Sequence, residues 1–215
     1  MPRTSKRVAA NADKHDPLKK FSLSEAAQLV KNCATAKFDE SVDLAFILGV
    51  DPRHADQMVR GTVSLPHGTG KEVRVVVVCK QDAQAQAARD AGATEVGGED
   101  LVTKIAGGWT EFDAMVAAPD MMGQVGKRGK VLGPRGLMAS PKAGTVTPKV
   151  GEAVAEIKKG KIDFRVDKAS NIHVPVGKAS FSPEQIAENA AAVIGAIAKA
   201  KPSSVKGTYL KGCTI

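Results

Sequence analysis

Val73-Arg74-Val75-Val76-Val77-Val78-Cys79 is apolar at every position but one and shows no alternation. A strand with water on one face reads apolar, polar, apolar. A short unbroken apolar run reads instead as a strand covered on both faces, as in the middle of a parallel sheet. The segments that follow keep the grammar of such a sheet. Residues 82–91 are rich in Ala and Gln and predict a helix that Gly92 stops. Thr94-Glu-Val96 predicts a short strand and 101–106 a short helix. Phe112-Asp-Ala-Met-Val-Ala-Ala118 predicts another buried strand, with Pro119 behind it. Thr147-Pro-Lys-Val150 predicts a helix with Pro at its first position, where a missing N–H costs nothing. Val150, Val154 and Ile157 continue it at helical spacing. This β-α-β-α-β order predicts a small parallel sheet flanked by helices.

Outward from that block the pattern changes. A tail of mixed charge runs to Lys20, and Ser22-Leu-Ser-Glu25 is a capping box opening a helix through Ala26, Leu29, Val30 and Cys33. Residues 37–50 predict a strand. Val42, Leu44, Phe46 and Leu48 share one face, Ala45 and Ile47 make the other apolar too, and Asp51-Pro-Arg53 ends it. Residues 60–66 alternate and predict a second strand of the same sheet. Pro66-His-Gly-Thr-Gly70 is rich in breakers and reads as a hinge. Beyond Gly160, Ile162-Asp-Phe-Arg-Val166 and Ile172-His-Val-Pro-Val176 flank a polar turn in a hairpin pattern. Ser182-Pro-Glu-Gln185 is a second capping box, followed by the apolar stripe Ile186, Ala190, Val193, Ile194 and Ile197, which Pro202 ends. Residues 205–215 predict a last strand. The economical architecture is an outer α+β domain built from 1–66 and 161–215, with an α/β domain, 67–160, inserted between its halves. Crossings near Pro66 and Gly160 then act as a double hinge.

Composition narrows the function. The 215 residues carry 31 Lys+Arg against 23 Asp+Glu, a net charge of +8. The longest apolar stretch, 190–198, is far short of the ~20 residues of a spanning helix, so no membrane partner is expected. The basic start, Met1-Pro-Arg-Thr-Ser-Lys-Arg7, leads into polar sequence without an apolar secretory segment. Three scattered cysteines, Cys33, Cys79 and Cys213, argue against a disulfide framework and fit a reducing cytoplasm. With no Cys-x-x-Cys or His-Glu-x-x-His, no metal or other cofactor is expected.

The charge is unevenly placed. Residues 1–66 and 161–215 hold 18 basic and 12 acidic side chains, net +6, while 67–160 hold 13 and 11, net +2. Within the middle block, 121–151 contain Lys127, Arg128, Lys130, Arg135, Lys142 and Lys149 and no acid. This stretch reads as a Gly- and Pro-rich loop whose free backbone N–H groups and flexible cations suit phosphate contacts. Aromatics are only 4% of the chain, six Phe with Trp109 and Tyr209. A stacking platform for single strands is therefore disfavoured, and folded RNA recognised through phosphates, 2′-hydroxyls and shape is favoured.

Leu132-Gly-Pro-Arg-Gly-Leu-Met138, continuing Ala-Ser-Pro-Lys-Ala-Gly-Thr-Val146, resembles the signature of the large-subunit ribosomal protein one family, the proteins of the mobile side stalk, in its bacterial form. Further similar segments occur in family order: Ala34-Thr-Ala-Lys-Phe-Asp-Glu40, Gly49-Val-Asp-Pro-Arg53, Arg60-Gly-Thr-Val-Ser-Leu-Pro-His-Gly-Thr-Gly-Lys71, Val174-Pro-Val-Gly-Lys-Ala-Ser-Phe181 and Lys206-Gly-Thr208. The resemblance implies an outer RNA-binding α+β domain and an inserted Rossmann-like α/β domain. It implies a structural constituent of the large ribosomal subunit that binds side-stalk ribosomal RNA, assists release of deacylated tRNA from the exit site, and represses translation of its own operon messenger RNA. No homo-oligomer is expected. Ala139 stands where the family usually has Pro. The Thr-Met-Gly-Pro stretch that usually follows and adds to the RNA surface is not found after Ile215.

The resemblance also assigns roles. Lys37 and Phe38 start the first strand on the RNA face, and Ser41 stands where the family usually has Thr, its hydroxyl able to bond phosphate or a ribose 2′-OH. Asp167, Lys168 and His173 flank the hairpin turn, with Lys168 on phosphate. Lys206, Thr208 and Lys211 lie on the last strand. Lys127, Arg128, Lys130 and Arg135 are expected to touch the tRNA elbow. The rival reading is a nucleotide-binding α/β enzyme with a cap. It fails on order, since His67-Gly-Thr-Gly-Lys71 precedes the strand and Glu72 follows the lysine, whereas a phosphate loop follows a strand and ends in Lys-Ser/Thr. No catalytic residue is assigned.

Overall fold

The computed structural model describes residues 6–12, 14, 16 and 19–215; Met1 to Ser5 of the basic start lie outside the described residues. In chain order the elements are α1 (Lys6–Ala12), α2 (Leu23–Cys33), β1 (Ser41–Leu48), β2 (Arg60–Ser64), β3 (Val75–Val78), α3 (Asp82–Asp90), β4 (Glu95–Gly97), α4 (Glu99–Ala106), β5 (Ala114–Ala117), α5 (Met122–Gly126), α6 (Gly129–Leu132), α7 (Val150–Lys158), β6 (Lys161–Arg165), β7 (Asn171–Lys178), α8 (Pro183–Lys199) and β8 (Leu210–Thr214). Contacts divide the chain into two compact units, Met1–Gly70 with Phe164–Ile215, and Lys71–Asp163. The sequence-based limits fell at 66/67 and 160/161.

In the unit Lys71–Asp163, β3 is the central strand of a parallel sheet in the order β4-β3-β5. All four of its valines are fully buried. Val76 and Val78 pack with Leu101, Ile105, Phe112, Met115, Met121, Val125 and Leu132. Val75 and Val77 pack with Ala88, Val116, Val150, Val154 and Ile157. Alternate residues of one strand thus serve two separate cores, which is why the sequence does not alternate. The helix after Pro148 starts later than expected. Ala117 N–H donates to the Thr145 carbonyl, Thr147 N–H donates to the Ala117 carbonyl, and Val146 bridges Ala117 in parallel. Residues 145–147 therefore run extended beside β5, and Lys149, not Thr147, is the N-cap. The basic 121–151 stretch is also not an open loop. It contains α5, α6 and tight turns, and the N–H groups of Arg128, Val131, Leu132, Gly133, Gly136 and Leu137 all donate within it. Its phosphate-contacting potential rests on side chains rather than on free backbone donors.

The other unit has an antiparallel sheet in the order β7-β1-β8, with α8 packed on β7, β2 and α2. Both capping boxes form: Ser22 with Glu25, and Ser182 with Gln185. Ile186, Ala190, Val193 and Ile197 are fully buried along α8. Four expectations are corrected here. First, β2 does not join the sheet of β1 but pairs with β6, where Gly61 makes room for the buried Phe164 ring (a Cβ at Gly61 would lie 2.8 Å from it). Second, β6 and β7 are not a paired hairpin. Their turn closes, with Asp167 N–H on the Asn171 carbonyl, yet Val166 N–H goes to the Val59 carbonyl while Asn171 pairs with Ile47. Alternation reports a buried face, not a partner. Third, the first strand begins at Ser41, because 37–40 are held elsewhere: Asp39 accepts from Ser180 N–H and Oγ–H, and the Glu40 carbonyl accepts from Ala179 N–H. Fourth, the last strand likewise begins late, at Leu210, so Lys206 and Thr208 precede it rather than lie on it.

One buried polar residue holds the Pro66–Gly70 segment. Asn189 is fully buried, accepts from His67 N–H at 3.1 Å, and donates to the carbonyls of Gly68 (3.0 Å) and Val176 (2.8 Å). His67 Nε2 also lies 2.5 Å from Glu188 Oε2.

Candidate nucleic-acid interface

The β7-β1-β8 sheet buries Val42, Leu44, Phe46 and Leu48 on one face and leaves the other bare. Cross-strand pairing fixes what the bare face presents. Ser41 lies opposite Lys178, Asp43 opposite Pro175, Ala45 between His173 and Thr214, and Ile47 between Asn171 and Gly212. Ile47 is 54% exposed, a large apolar side chain in the middle of a sheet face with nothing packed on it. From Ser41 to Leu48 this face runs ~23 Å.

Of the site residues expected in this unit, Ser41 and His173 stand on this face, Lys211 lies within β8, and the others lie in the segments that lead into its strands. At the β1 start, Lys37, Phe38 and Ser41 are exposed, with Phe38 at 72%. Such exposure excludes Phe38 from the core and fits a ring awaiting a partner surface. His173 stands in mid-face on β7. At the far end, the Asp167–Asn171 turn and the 208–211 segment meet around Leu48–Val50. Leu48 N–H donates to the Ser170 carbonyl, Ser170 Oγ–H to the Val50 carbonyl at 2.9 Å, and Gly49 N–H to the Tyr209 carbonyl at 2.7 Å. Gly49 must be glycine here, since a Cβ would lie 2.2 Å from the Thr208 carbonyl oxygen. Lys168 and Lys211, which are 43 positions apart in sequence, are thereby anchored to the same three residues. An open groove lined by Pro52, Met58, Arg165, Val166, Asp167 and Lys168 adjoins them.

Asp167 has a local job as well. Its Oδ1 accepts from the N–H groups of Ala169 (2.8 Å) and Asn171 (2.7 Å), clamping a turn in which Ser170 adopts φ +66°. Lys37, Lys168, Lys206 and Lys211 are exposed and have no hydrogen-bond or carboxylate partner among the described residues. Cations held without a counter-charge are those that a phosphate can take without breaking an existing pair. The sequence alone does not single out Lys178, whose Nζ lies 2.8 Å from Ser41 Oγ, and shows Ile47 only as an apolar residue on the second face of its strand. The glycine before Lys178, in a strand otherwise apolar at alternate positions, was the available signal.

In the other unit Lys127, Arg128 and Lys130 are exposed around the α5–α6 junction. Leu132 and Val125 anchor these short helices in the core. Arg135 is tied back to Thr110 Oγ1. The four therefore form three free cations and one restrained one. No group of three or more potential metal ligands occurs among the described residues.

Residues 29–215 match the Ribosomal protein L1p/L10e family. The chain is 57% identical over 211 residues to the large ribosomal subunit protein uL1 of Clavibacter michiganensis subsp. michiganensis (strain NCPPB 382), covering 98% of this chain and 92% of that protein. It has the same identity and coverage to the uL1 protein of Clavibacter sepedonicus.

Proposed function

Because the chain belongs to the Ribosomal protein L1p/L10e family and is a non-enzymatic constituent of the large ribosomal subunit, we propose that it grips side-stalk ribosomal RNA with the bare face of the β7-β1-β8 sheet and the loops at its two ends. The observation that carries this reading is the set of exposed, unpartnered lysines in the segments flanking the strands, Lys37 before β1, Lys168 before β7, Lys206 before β8 and Lys211 within it, together with exposed Ile47 and Phe38. Phosphate contacts fix such a protein on its RNA, and His173, Ser41, Asn171 and Thr214 offer hydrogen bonds to ribose hydroxyls. Asp167 supports this surface by holding the Lys168 turn. The outer α+β domain is thus the anchoring domain, and the protein resides in the cytoplasm on the large subunit.

The inserted α/β domain contributes a second, transient contact. Lys127, Arg128 and Lys130, with Arg135 restrained beside them, meet the elbow of exit-site tRNA and assist its release. The anchoring surface also binds the operon's own messenger RNA and so represses its translation, ribosomal RNA being the stronger ligand. Charge reversal of Lys127, Arg128, Lys130 and Arg135 tests the division of labour. It should slow tRNA release from ribosomes while leaving affinity for a side-stalk ribosomal RNA fragment unchanged. Loss of that affinity would assign the segment to the anchoring site.

A further inference from the structure

The pairing of β1 with β7 slips by one residue between Val42 and Asp43. Asp43 faces Pro175, but Val42 faces Gly177 rather than Val176, so β7 carries one extra residue. The consequence is a change of face. Without the bulge, Ser41 would lie opposite Gly177 and Lys178 would point to the buried side. With it, Lys178 stands opposite Ser41 on the bare face. Gly177 permits the bulge, because a Cβ there would lie 2.9 Å from the Phe181 ring.

Lys178 is unlike the other lysines of this face. Its stem is packed: a Cβ at Gly70 would come within 2.8 Å of Lys178 Cγ. Its ammonium donates to Ser41 Oγ at 2.8 Å and has no carboxylate partner among the described residues. Asp39 is engaged by Ser180 and Glu40 by Arg7, while Asp43, two residues from Ser41 on the same exposed face, lies opposite Pro175 and forms no ion pair with Lys178. A serine oxygen that accepts from an ammonium has its own O–H left to donate elsewhere. Two N–H of Lys178 and one O–H of Ser41 therefore remain, side by side and with the lysine stem already ordered.

We infer that Lys178 and Ser41 form one composite phosphate site, delivered to the RNA face by the β7 bulge, in which Lys178 both contacts the phosphate and orients the Ser41 hydroxyl towards it. This rests on the reading of the sheet face as the ribosomal RNA site, and it adds a contact and a coupling that the reading does not require. An ordered lysine loses less side-chain entropy on binding than a free one, so this contact should be worth more than that of Lys168 or Lys206.

The test is the affinity of the full chain for a side-stalk ribosomal RNA fragment, measured over a range of salt. Lys178→Met should weaken binding about tenfold and flatten the log–log salt slope by about one. Ser41→Ala should weaken it severalfold in the wild type and scarcely at all in the Lys178→Met background. Lys178→Arg should keep the slope and lose the coupling to Ser41, and thermal melts of each variant verify folding. Additive effects of Ser41→Ala and Lys178→Met, or an unchanged slope in Lys178→Met, would overturn the composite site. The Lys168→Met variant separates this from failure of the wider reading. If Lys168→Met weakens binding while Lys178→Met does not, only the composite site falls; if neither does, the sheet-face reading falls with it.

Discussion

The two units differ in how their lysines are paired: the unit Lys71–Asp163 has both ion-paired lysines and free ones such as Lys127 and Lys130, whereas the other has no ion-paired lysine among the described residues. In Lys71–Asp163, Lys71 and Arg74 share Asp113, Lys104 meets Glu95, Lys149 meets Glu152 and Lys161 meets Glu156. In the unit built from both chain ends, no lysine is paired with a carboxylate among the described residues; its ion pairs are Arg7–Glu40, His54–Asp51 and His67–Glu188. Its fixed lysine ammoniums bond neutral oxygens instead: Lys14 the Asn32 carbonyl, Lys31 the Phe181 carbonyl and Lys178 the Ser41 hydroxyl. The sheets differ in parallel. One is covered on both faces, the other on one. An exposed face with cations that lack a counter-charge has electrostatic energy left for an anionic partner. Net charge alone, +8, does not distinguish these uses; pairing does.

The largest expected effect breaks this contrast directly. Replacing Lys37, Lys168, Lys206 and Lys211 by Met should lower affinity for the ribosomal RNA fragment by roughly two to three orders of magnitude and flatten the salt slope by about three to four. Replacing Lys71, Lys104, Lys149 and Lys161 by Met should leave both nearly unchanged. Filter binding across ionic strength measures each set. Equal losses from the two sets would mean that pairing says nothing about RNA contact.

Much of the fold is legible in the amino-acid sequence. The capping residues Ser22 and Ser182 chose their helix starts by local chemistry, and the Val75–Val78 run named a strand covered on both sides by its own composition. What was not legible depended on distant partners. Pairing of β2 with β6 needs the fit of Phe164 over Gly61, and the place of Lys178 needs a one-residue slip against Val42. Asn189 reads as an ordinary polar residue in an alanine-rich helix, yet it is fully buried on three backbone groups of two remote segments. The site residues came through resemblance. Residue pattern alone makes Phe38 a strand-end core residue, which its 72% exposure rules out.

A second comparison sets two apolar strand residues side by side. Val76 is fully buried in the covered sheet and Ile47 is 54% exposed on the bare one. Val76→Ala should cost roughly 2–3 kcal/mol of stability through lost burial and the cavity left behind. Ile47→Ala should change stability by less than about 0.5 kcal/mol yet weaken ribosomal RNA binding severalfold. Chemical denaturation and RNA titration of both variants check the pair. A strongly destabilised Ile47→Ala protein would show that the bare face is part of a core.

Acid should separate the units too. Burial pushes the Asp113 carboxyl up, but hydrogen bonds from Lys71 Nζ and from the backbone and side chain of Arg74 outweigh it, holding the pKa down to about 2 against an ordinary 3.8. A carboxylate depressed on folding stabilises fully above its unfolded value and loses that contribution as pH falls through the folded one. Here the window is pH 4 to 2, and the contribution is at most about 2 kcal/mol, since the side chain is only 20% exposed. In the other unit, Glu25 is lowered by its bonds to the Ser22 backbone and hydroxyl, but it is solvent-exposed and should matter little. Trp109, the one tryptophan of the chain, lies in the unit of Asp113, so its fluorescence follows that unit selectively. Urea midpoints read from Trp109 should fall between pH 4 and 2 in the wild type. In Asp113→Asn they should be lower at pH 6 and nearly flat across the same window. A wild-type midpoint that does not move there would mean that the Lys71–Asp113–Arg74 cluster contributes nothing to the unit that holds it.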